Sequence, residues 1–291
     1  YALGLGQVWI PVGLAIGYTI SWLLEAPRLR KFSIVANDSI TIPQYLTNRF
    51  LSKSLALQVI CAIVFLVAYT IYAASSVKAC GTLFHTVIGM DPQIAMYLAA
   101  VVIVGYTFLG GFSAVCWTDF FQGMLVLGSM FIAPIFAAFM LDTSSMSALP
   151  GGYLNPFSSW QDIVSGLAWG LGYFGMPHIL VRFMAIRDPQ EVKKSRNIAM
   201  IWVLISLSVA VCIGFTGAAL YPNVAELAGN GNQRIFIYMT THLFKGLIPL
   251  FMAGIILSGI LAATMSTSDS QLLIASSCVS KNLFQGLFKK E

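Results

Sequence analysis

Long apolar runs alternate with short polar stretches along this chain. The runs are too long for strands and too evenly apolar for the surface helices of a soluble protein. The pattern predicts seven of them, near 3–24, 56–77, 93–112, 117–140, 162–184, 198–220 and 247–277. A helix that crosses a bilayer needs about 20 mostly apolar residues, and each run meets that length. The last is long enough to tilt, bend or continue past the bilayer. Pro11, Pro134, Pro177 and Pro249 fall inside or at the ends of runs. Membrane helices tolerate this where neighbours re-satisfy the freed backbone groups.

Composition strengthens the pattern. Of 291 residues, 58% are hydrophobic and only 9% are charged, whereas soluble domains carry about 25% charged residues. So few charges cannot cover a soluble surface, which excludes a cytoplasmic enzyme and a disordered tail. The expected class is an all-α polytopic membrane protein forming one domain over 1–291. The five cysteines are odd in number, and Cys61, Cys212 and Cys278 sit in apolar runs, so a disulfide framework is not expected. Tyr1 opens into an apolar stretch with neither a basic leader nor an initiator Met, which predicts that the chain begins partway through a larger protein.

The net charge of +5 raises the question of nucleic acid, and its placement answers it. Arg28, Arg30, Lys31, Arg49 and Lys53 share one side of the seven-span topology with Arg182, Arg187, Lys193, Lys194 and Arg196, and with Lys281, Lys289 and Lys290. The linker near 113–116 on that side carries none. The opposite side has Lys78, Arg234 and Lys245 alone. Excess Lys and Arg mark cytoplasmic loops. Segments 25–55 and 185–197 are therefore expected as basic cytoplasmic loops and 221–246 as an external loop, with Tyr1 outside and Glu291 inside. The expected partner is the lipid bilayer, not nucleic acid.

Four features bear on function. Gly170, Gly172 and Gly175 match G-x-G-x-x-G, but they lie inside an apolar span and lack the strand, helix and distant acid of a dinucleotide site. With Pro177 they read instead as an interrupted helix, the kind of break at which secondary transporters place substrate and ion sites. Trp169, Tyr173 and Pro177 follow i, i+4, i+8 spacing and would share one helical face, either as packing or as a binding surface. In the last span, Gly259, Ala263, Ser266, Thr267 and Ser270 form a small, hydroxyl-rich face. Such oxygens suit a hard cation, or simply bond back within the helix. Asp269, about 60° from Ser266 on the wheel, flanks that face or lies solvated at the cytoplasmic mouth; an intramembrane carboxylate is a functional signal by default. Asp119, at the start of span 117–140, reads as a helix cap or as a group beside an ion path. A ridge of Ser206, Ala210, Gly214 and Ala218 reads as close helix packing. His85 and His242 fall in expected outer loops, and His178 follows the break. No metal-ligand spacing, catalytic triad or phosphate loop appears, so an enzyme is not expected.

Several motifs resemble one family. They are the run Ala168–Gly175 with Pro177-His178-Ile179-Leu180 and Arg182-Phe183-Met184; Tyr106-Thr107-Phe108-Leu109-Gly110-Gly111-Phe112 with Trp117-Thr118-Asp119; Leu261–Thr267; and Ile42-Pro43-Gln44-Tyr45-Leu46 with Arg49-Phe50. In this order they resemble the solute:sodium symporter family, and the first run resembles its proline branch, with Met176 where that branch usually has Gln. The resemblance implies an inverted-repeat bundle of the LeuT type, here incomplete, in a bacterial cytoplasmic membrane. It implies sodium-coupled uptake of L-proline by alternating access, with sodium as coupling ion and no other cofactor. Trp169, Tyr173, Pro177 and Tyr72 would meet proline. Ala263, Ser266 and Thr267 would hold the main sodium ion, and Asp119 with Ser270 would form a secondary ion position. It further implies that flanking core helices are missing, so that the chain alone would not transport. The alternatives are a family symporter for another amino acid or a small carboxylate, and a non-transporting sensor on the same fold.

Overall fold

A computed structural model describes residues 1–142, 149–222, 224–244 and 247–285. Lys245, Lys289, Lys290 and Glu291 lie outside the described residues. Among the described residues the secondary structure is helical throughout.

The first helix, α1, runs Leu5–Val35, eleven residues past its expected end. Its continuation passes through a π-helical turn at Ser21–Glu25, and Pro27 opens the next turn. A π-turn absorbs a proline because Pro has no N–H to give to the ladder. Arg28, Arg30 and Lys31 thus ride on helix. The short α2, Ile42–Arg49, starts where the Thr41 side chain accepts the Gln44 N–H and Pro43 occupies the first turn. Segment 25–55, expected as a loop, is therefore largely helical.

Helix α3 spans Ala56–Ile88 and stops at Gly89, whose φ of 67° is left-handed. Lys78 and His85, expected beyond the helix, lie on it. A 49-residue helical stretch, Pro92–Met140, follows. At 1.5 Å per residue it would extend about 73 Å, more than twice the hydrocarbon thickness. Gly111 breaks it, with φ 58° and ψ −154°. We treat 92–110 as α4 and 112–140 as α5. The expected linker at 113–116 is helical; the turn between the spans is Gly111 itself.

Helix α6, Trp160–Gly175, is capped by Ser159 and winds into 3-10 turns over Trp169–Gly175. Met176 is extended, and α7, Pro177–Met184, leaves at a bend of 47°. The expected break is present. Helix α8, Pro189–Leu220, begins at an Asp188 cap, which makes most of the expected 185–197 loop helical. In segment 221–246, α9, Ile235–Leu243, carries His242 in its last turn. Finally α10, Leu247–Ser277, continues in π-turns through Cys278–Gln285. Counting the bent α6–α7 pair as one span, and α4 and α5 as two, gives seven crossings among the described residues.

Glycine sets the closest approach. A Cβ added at Gly13, Gly17, Gly166 or Gly170 would collide with backbone of the facing helix, so α1 and α6 meet main chain to main chain. This is how helices gain contact in lipid, where no hydrophobic force draws them together. The ridge expected on α8 is divided: Ala218 is buried and Gly214 lies close to the Tyr1 backbone. Ala210 is exposed, and Ala210 and Gly214 line a cavity of about 300 Å³ shared with α1. Helix α8 buries Val209 and Ile213 in a cluster with Ala137 of α5, and its Gly217 sits against Ile235 and Met239 of α9. Helix α10 packs among α3, α4 and α5, with Gly259 pressed onto Ser129 of α5.

Candidate functional site

Two regions carry the polar and aromatic residues that the sequence singles out. The first surrounds the α6–α7 break. The α-helical spacing that would align Trp169 with Tyr173 is replaced by 3-10 winding. Four residues then rotate by about 120° instead of about 40°, and the expected common face is split. Trp169 is 61% exposed. The Tyr173 ring lies 4.9 Å from that of Tyr18 on α1. Pro177 is buried at the first turn of α7. Tyr72 on α3 is exposed, with its ring 6.5 Å from that of Tyr69.

Tyr69 and His178 complete this region. The Tyr69 hydroxyl pairs with His178 Nδ1 at 3.0 Å and also accepts the His178 backbone N–H at 3.4 Å. One tyrosine thereby fixes the first turn beyond the break to α3. Sequence reasoning missed Tyr69; its signal was the i, i+3 spacing to Tyr72, which puts both rings on one side of α3. The three glycines also divide by role. Gly170 is held against Gly13 and Gly17, while Gly172 and Gly175 face open space.

The second region lies along α10. Ser266 Oγ donates to the Ala263 carbonyl at 3.2 Å, and Thr267 Oγ1 donates to the same carbonyl at 2.9 Å. The bonding-back alternative therefore describes these hydroxyls. Donation uses the hydrogen and leaves each oxygen its lone pairs, so the face keeps its capacity to ligate a cation. Thr264 Oγ1 meets Cys80 Sγ at 3.1 Å and ties this stretch to α3.

Asp269 is not at a solvated mouth. It is fully buried, and its Oδ2 accepts the Tyr106 hydroxyl of α4 at 2.7 Å. Asp119 is not a helix cap either. Helix α5 begins directly after Gly111, so Asp119 lies two turns inside it, and the preceding Thr118 donates to the Ala114 and Val115 carbonyls. Asp119 and Ser270 do come together, with Ser270 Oγ 3.4 Å from Asp119 Oδ2. Between them comes Arg182 of α7, whose Nη2 donates to Asp119 Oδ2 and, at 2.7 Å, to Ser270 Oγ. Four helices thus converge: α4 through Tyr106, α5 through Asp119, α7 through Arg182, and α10 through Asp269 and Ser270. Sequence reasoning counted Arg182 as a cytoplasmic charge and as part of the Arg182-Phe183-Met184 motif, not as a site residue. Its signal was its place one turn past the break, on the same side as Asp119.

Near the basic ends of the helices a cavity of about 610 Å³ opens among Arg30, Asp38, Thr41, Val181, Ser277 and Lys281. Among the described residues there is no group of three or more His, Cys, Asp or Glu arranged to hold a metal ion. The chemistry on offer is hydroxyl, carbonyl and carboxylate oxygen for a hard monovalent cation, beside an aromatic break.

The model of the sodium:solute symporter family matches residues 1–291. The high-affinity proline transporter PutP of Bacillus subtilis (strain 168) is 39% identical over 297 residues, a match covering 100% of this chain and 62% of that protein. The sodium/proline symporters of Salmonella typhimurium and Escherichia coli (strain K12) are each 38% identical, covering 99% of this chain and 58% of those proteins. The chain therefore spans about three fifths of the length of these curated relatives. With a match over its whole length, this chain belongs to the sodium:solute symporter family.

Proposed function

We propose that the protein carrying this chain takes up L-proline together with sodium across a bacterial cytoplasmic membrane. The observation that carries the proposal is the 38–39% identity, over essentially the whole chain, to proteins named for that activity. The geometry supports it. The pyrrolidine ring is apolar and compact, and Tyr173, Trp169 and Tyr72 around the break offer aromatic faces for it. Pro177 and the extended Met176 offer irregular backbone, which meets a zwitterion at membrane depth as helix ends do elsewhere.

Sodium, as co-transported ion, is assigned to the oxygens of Ala263, Ser266 and Thr267. The Ser266 and Thr267 hydroxyls donate to the Ala263 carbonyl and keep their own lone pairs for the ion. Asp119 and Ser270 form the secondary ion position, which Arg182 bridges in this conformation. Coupling then follows from linkage: if sodium raises proline affinity by some factor, proline raises sodium affinity by the same factor. Alternating access requires the α6–α7 break to serve both sides in turn. The basic helix ends around Arg28, Arg30, Lys31 and Arg187 face the cytoplasm on the positive-inside rule, and the 610 Å³ cavity beside Arg30 lies on the release side.

Labelled L-proline uptake into proteoliposomes containing the full-length protein tests the reading. An inward sodium gradient should drive accumulation, and potassium in its place should not. Uptake indifferent to the cation, or no proline uptake at all, would overturn it.

A further inference from the structure

The helix before α7 does not set its position. Met176 is extended, so the hydrogen-bond ladder of α6 does not run on into α7. In the first turn of α7 the Ile179 and Leu180 N–H groups both donate to the Met176 carbonyl, and Pro177 has no N–H to place. The donor left over is the His178 N–H. A polar cap would take it, but the methionine at that position makes no side-chain bond. Tyr69 supplies the acceptor from α3, at 3.4 Å. Its ring is buried with Ala62 of α3 and with Ile274, Ala275 and Cys278 of α10 and its continuation. Helix α3 is itself bound to that helix at both ends, by Cys80 to Thr264 and by Gln58 Nε2 to the Asn282 carbonyl. The hydroxyl therefore stands on a fixed base. It also sets the imidazole. A phenol has one hydrogen and two lone pairs. Accepting the His178 N–H leaves the hydrogen for Nδ1, 3.0 Å away. Nδ1 is then an acceptor, and the neutral ring carries its proton on Nε2.

We propose that Tyr69 is a positioning residue for the substrate site: its hydroxyl holds the start of α7, with His178 as its Nε2–H form, at a set distance from α3, and so fixes the width of the space between Tyr72 and Pro177. This rests on the proposed proline reading and deepens it by naming what decides the ring size admitted. Tyr72 lies one turn from Tyr69 on α3, and Pro177 directly precedes His178, so the two ends of this bond carry two of the proposed proline contacts. Without the hydroxyl, α7 keeps the packing of Leu180, Phe183 and Met184 against α1 and α2. It loses the bond that orients its first turn. A guest with one more methylene then gains room, and proline loses the close fit.

The test uses the full-length protein, in proteoliposomes for uptake and purified for spectroscopy. Tyr69→Phe removes one oxygen and leaves the ring. It should raise the proline concentration for half-maximal uptake about fivefold, as expected for one net hydrogen bond, with the maximal rate and the sodium requirement at saturating proline within about twofold. The preference for proline over pipecolate, the same acid with one more ring methylene, should fall by about fivefold as well. His178→Asn, whose Oδ1 takes the place of Nδ1, should stay close to the wild type, whereas His178→Leu should shift toward Tyr69→Phe. A tyrosine that only supports the fold would lower yield or maximal rate and leave the selectivity ratio alone. Nitrogen-15 spectra of the histidines need no substrate. The His178 signal, identified by its loss in His178→Asn, should show a protonated Nε2 and a bare Nδ1 in the wild type, and a mixture of tautomers in Tyr69→Phe. A wild-type ring protonated at Nδ1, or unchanged half-saturation and selectivity in Tyr69→Phe, overturns the inference. The Nε2 form in a wild type that takes up no proline would support the Tyr69 bond and remove the proline reading, with the ring-size claim that rests on it.

Discussion

The break and the acidic cluster lie at opposite ends of one short helix, α7, and are built on opposite plans. Around the break the groups are aromatic and loosely held: Trp169 is 61% exposed and Tyr72 is 43% exposed. In the cluster the groups are charged and closed in: Asp269 is fully buried and four helices contribute. On the proposed function, the contrast follows from what each would bind. An organic guest needs apolar area and room to enter, which open rings supply. A small ion needs fixed oxygens in a low-dielectric place, and loose ones would re-solvate. Helix α7 joins the two through Pro177, His178 and Arg182.

That comparison can be broken first at its most rigid point. Arg182→Ala should destabilise the fold more than any single substitution at the break, since stripping one partner from a buried ion pair costs about 3–5 kcal/mol. Half-exposure of the guanidinium brings the expected loss toward the lower end of that range. Thermal unfolding in detergent should show it, and the double variant Arg182→Gln with Asp119→Asn should recover part of it. Gly170→Ala comes next. Its new Cβ meets α1 backbone, and overpacking of this kind costs about 1–3 kcal/mol. Ser266→Ala and Thr267→Ala should each weaken sodium activation of uptake about tenfold, equivalent to about 1.4 kcal/mol, with little change in which substrates compete. Trp169→Ala should raise the proline concentration for half-maximal uptake by a few-fold and leave sodium activation nearly unchanged, separating the regions from the open side. Gly172→Ala should be the mildest for stability, within about 1 kcal/mol of wild type, because nothing stands where its Cβ would go. A large loss there would mean that Gly172, like Gly170, is a packing glycine.

Much of the architecture was legible because lipid imposes a simple rule on sequence. Apolar length predicted the crossings, and Leu247–Ser277 matches its expected run end to end. The helix break was legible because three glycines and a proline within eight residues weaken any helix. Helix ends were less so. Apolar content stops near residue 24 of α1 and 77 of α3, but backbone bonding does not stop where the lipid does, and both helices continue beyond. The boundary between 93–112 and 117–140 was legible, but its place at Gly111 was not, because a single glycine with a positive φ needs no polar linker around it.

The sites were legible as residue types but not as partnerships. Wheel geometry assumed 3.6 residues per turn at Trp169 and Tyr173, and the 3-10 winding of α6 undid it. Asp269 stood out as a costly intramembrane charge, yet its partner Tyr106 lies 163 positions away on another helix. Arg182 was absorbed into the positive-inside count, although its guanidinium bridges Asp119 and Ser270. Pattern reports which face a residue takes on its own helix. What meets that face is decided by packing.

The most direct test of the whole account asks whether the open region and the closed one are coupled. Proline binding to the purified full-length protein would be measured by calorimetry in sodium and in potassium, and sodium binding with and without proline. The account predicts that sodium tightens proline binding by tenfold or more and that proline tightens sodium binding by the same factor. Proline affinity that is the same in sodium and potassium would contradict it.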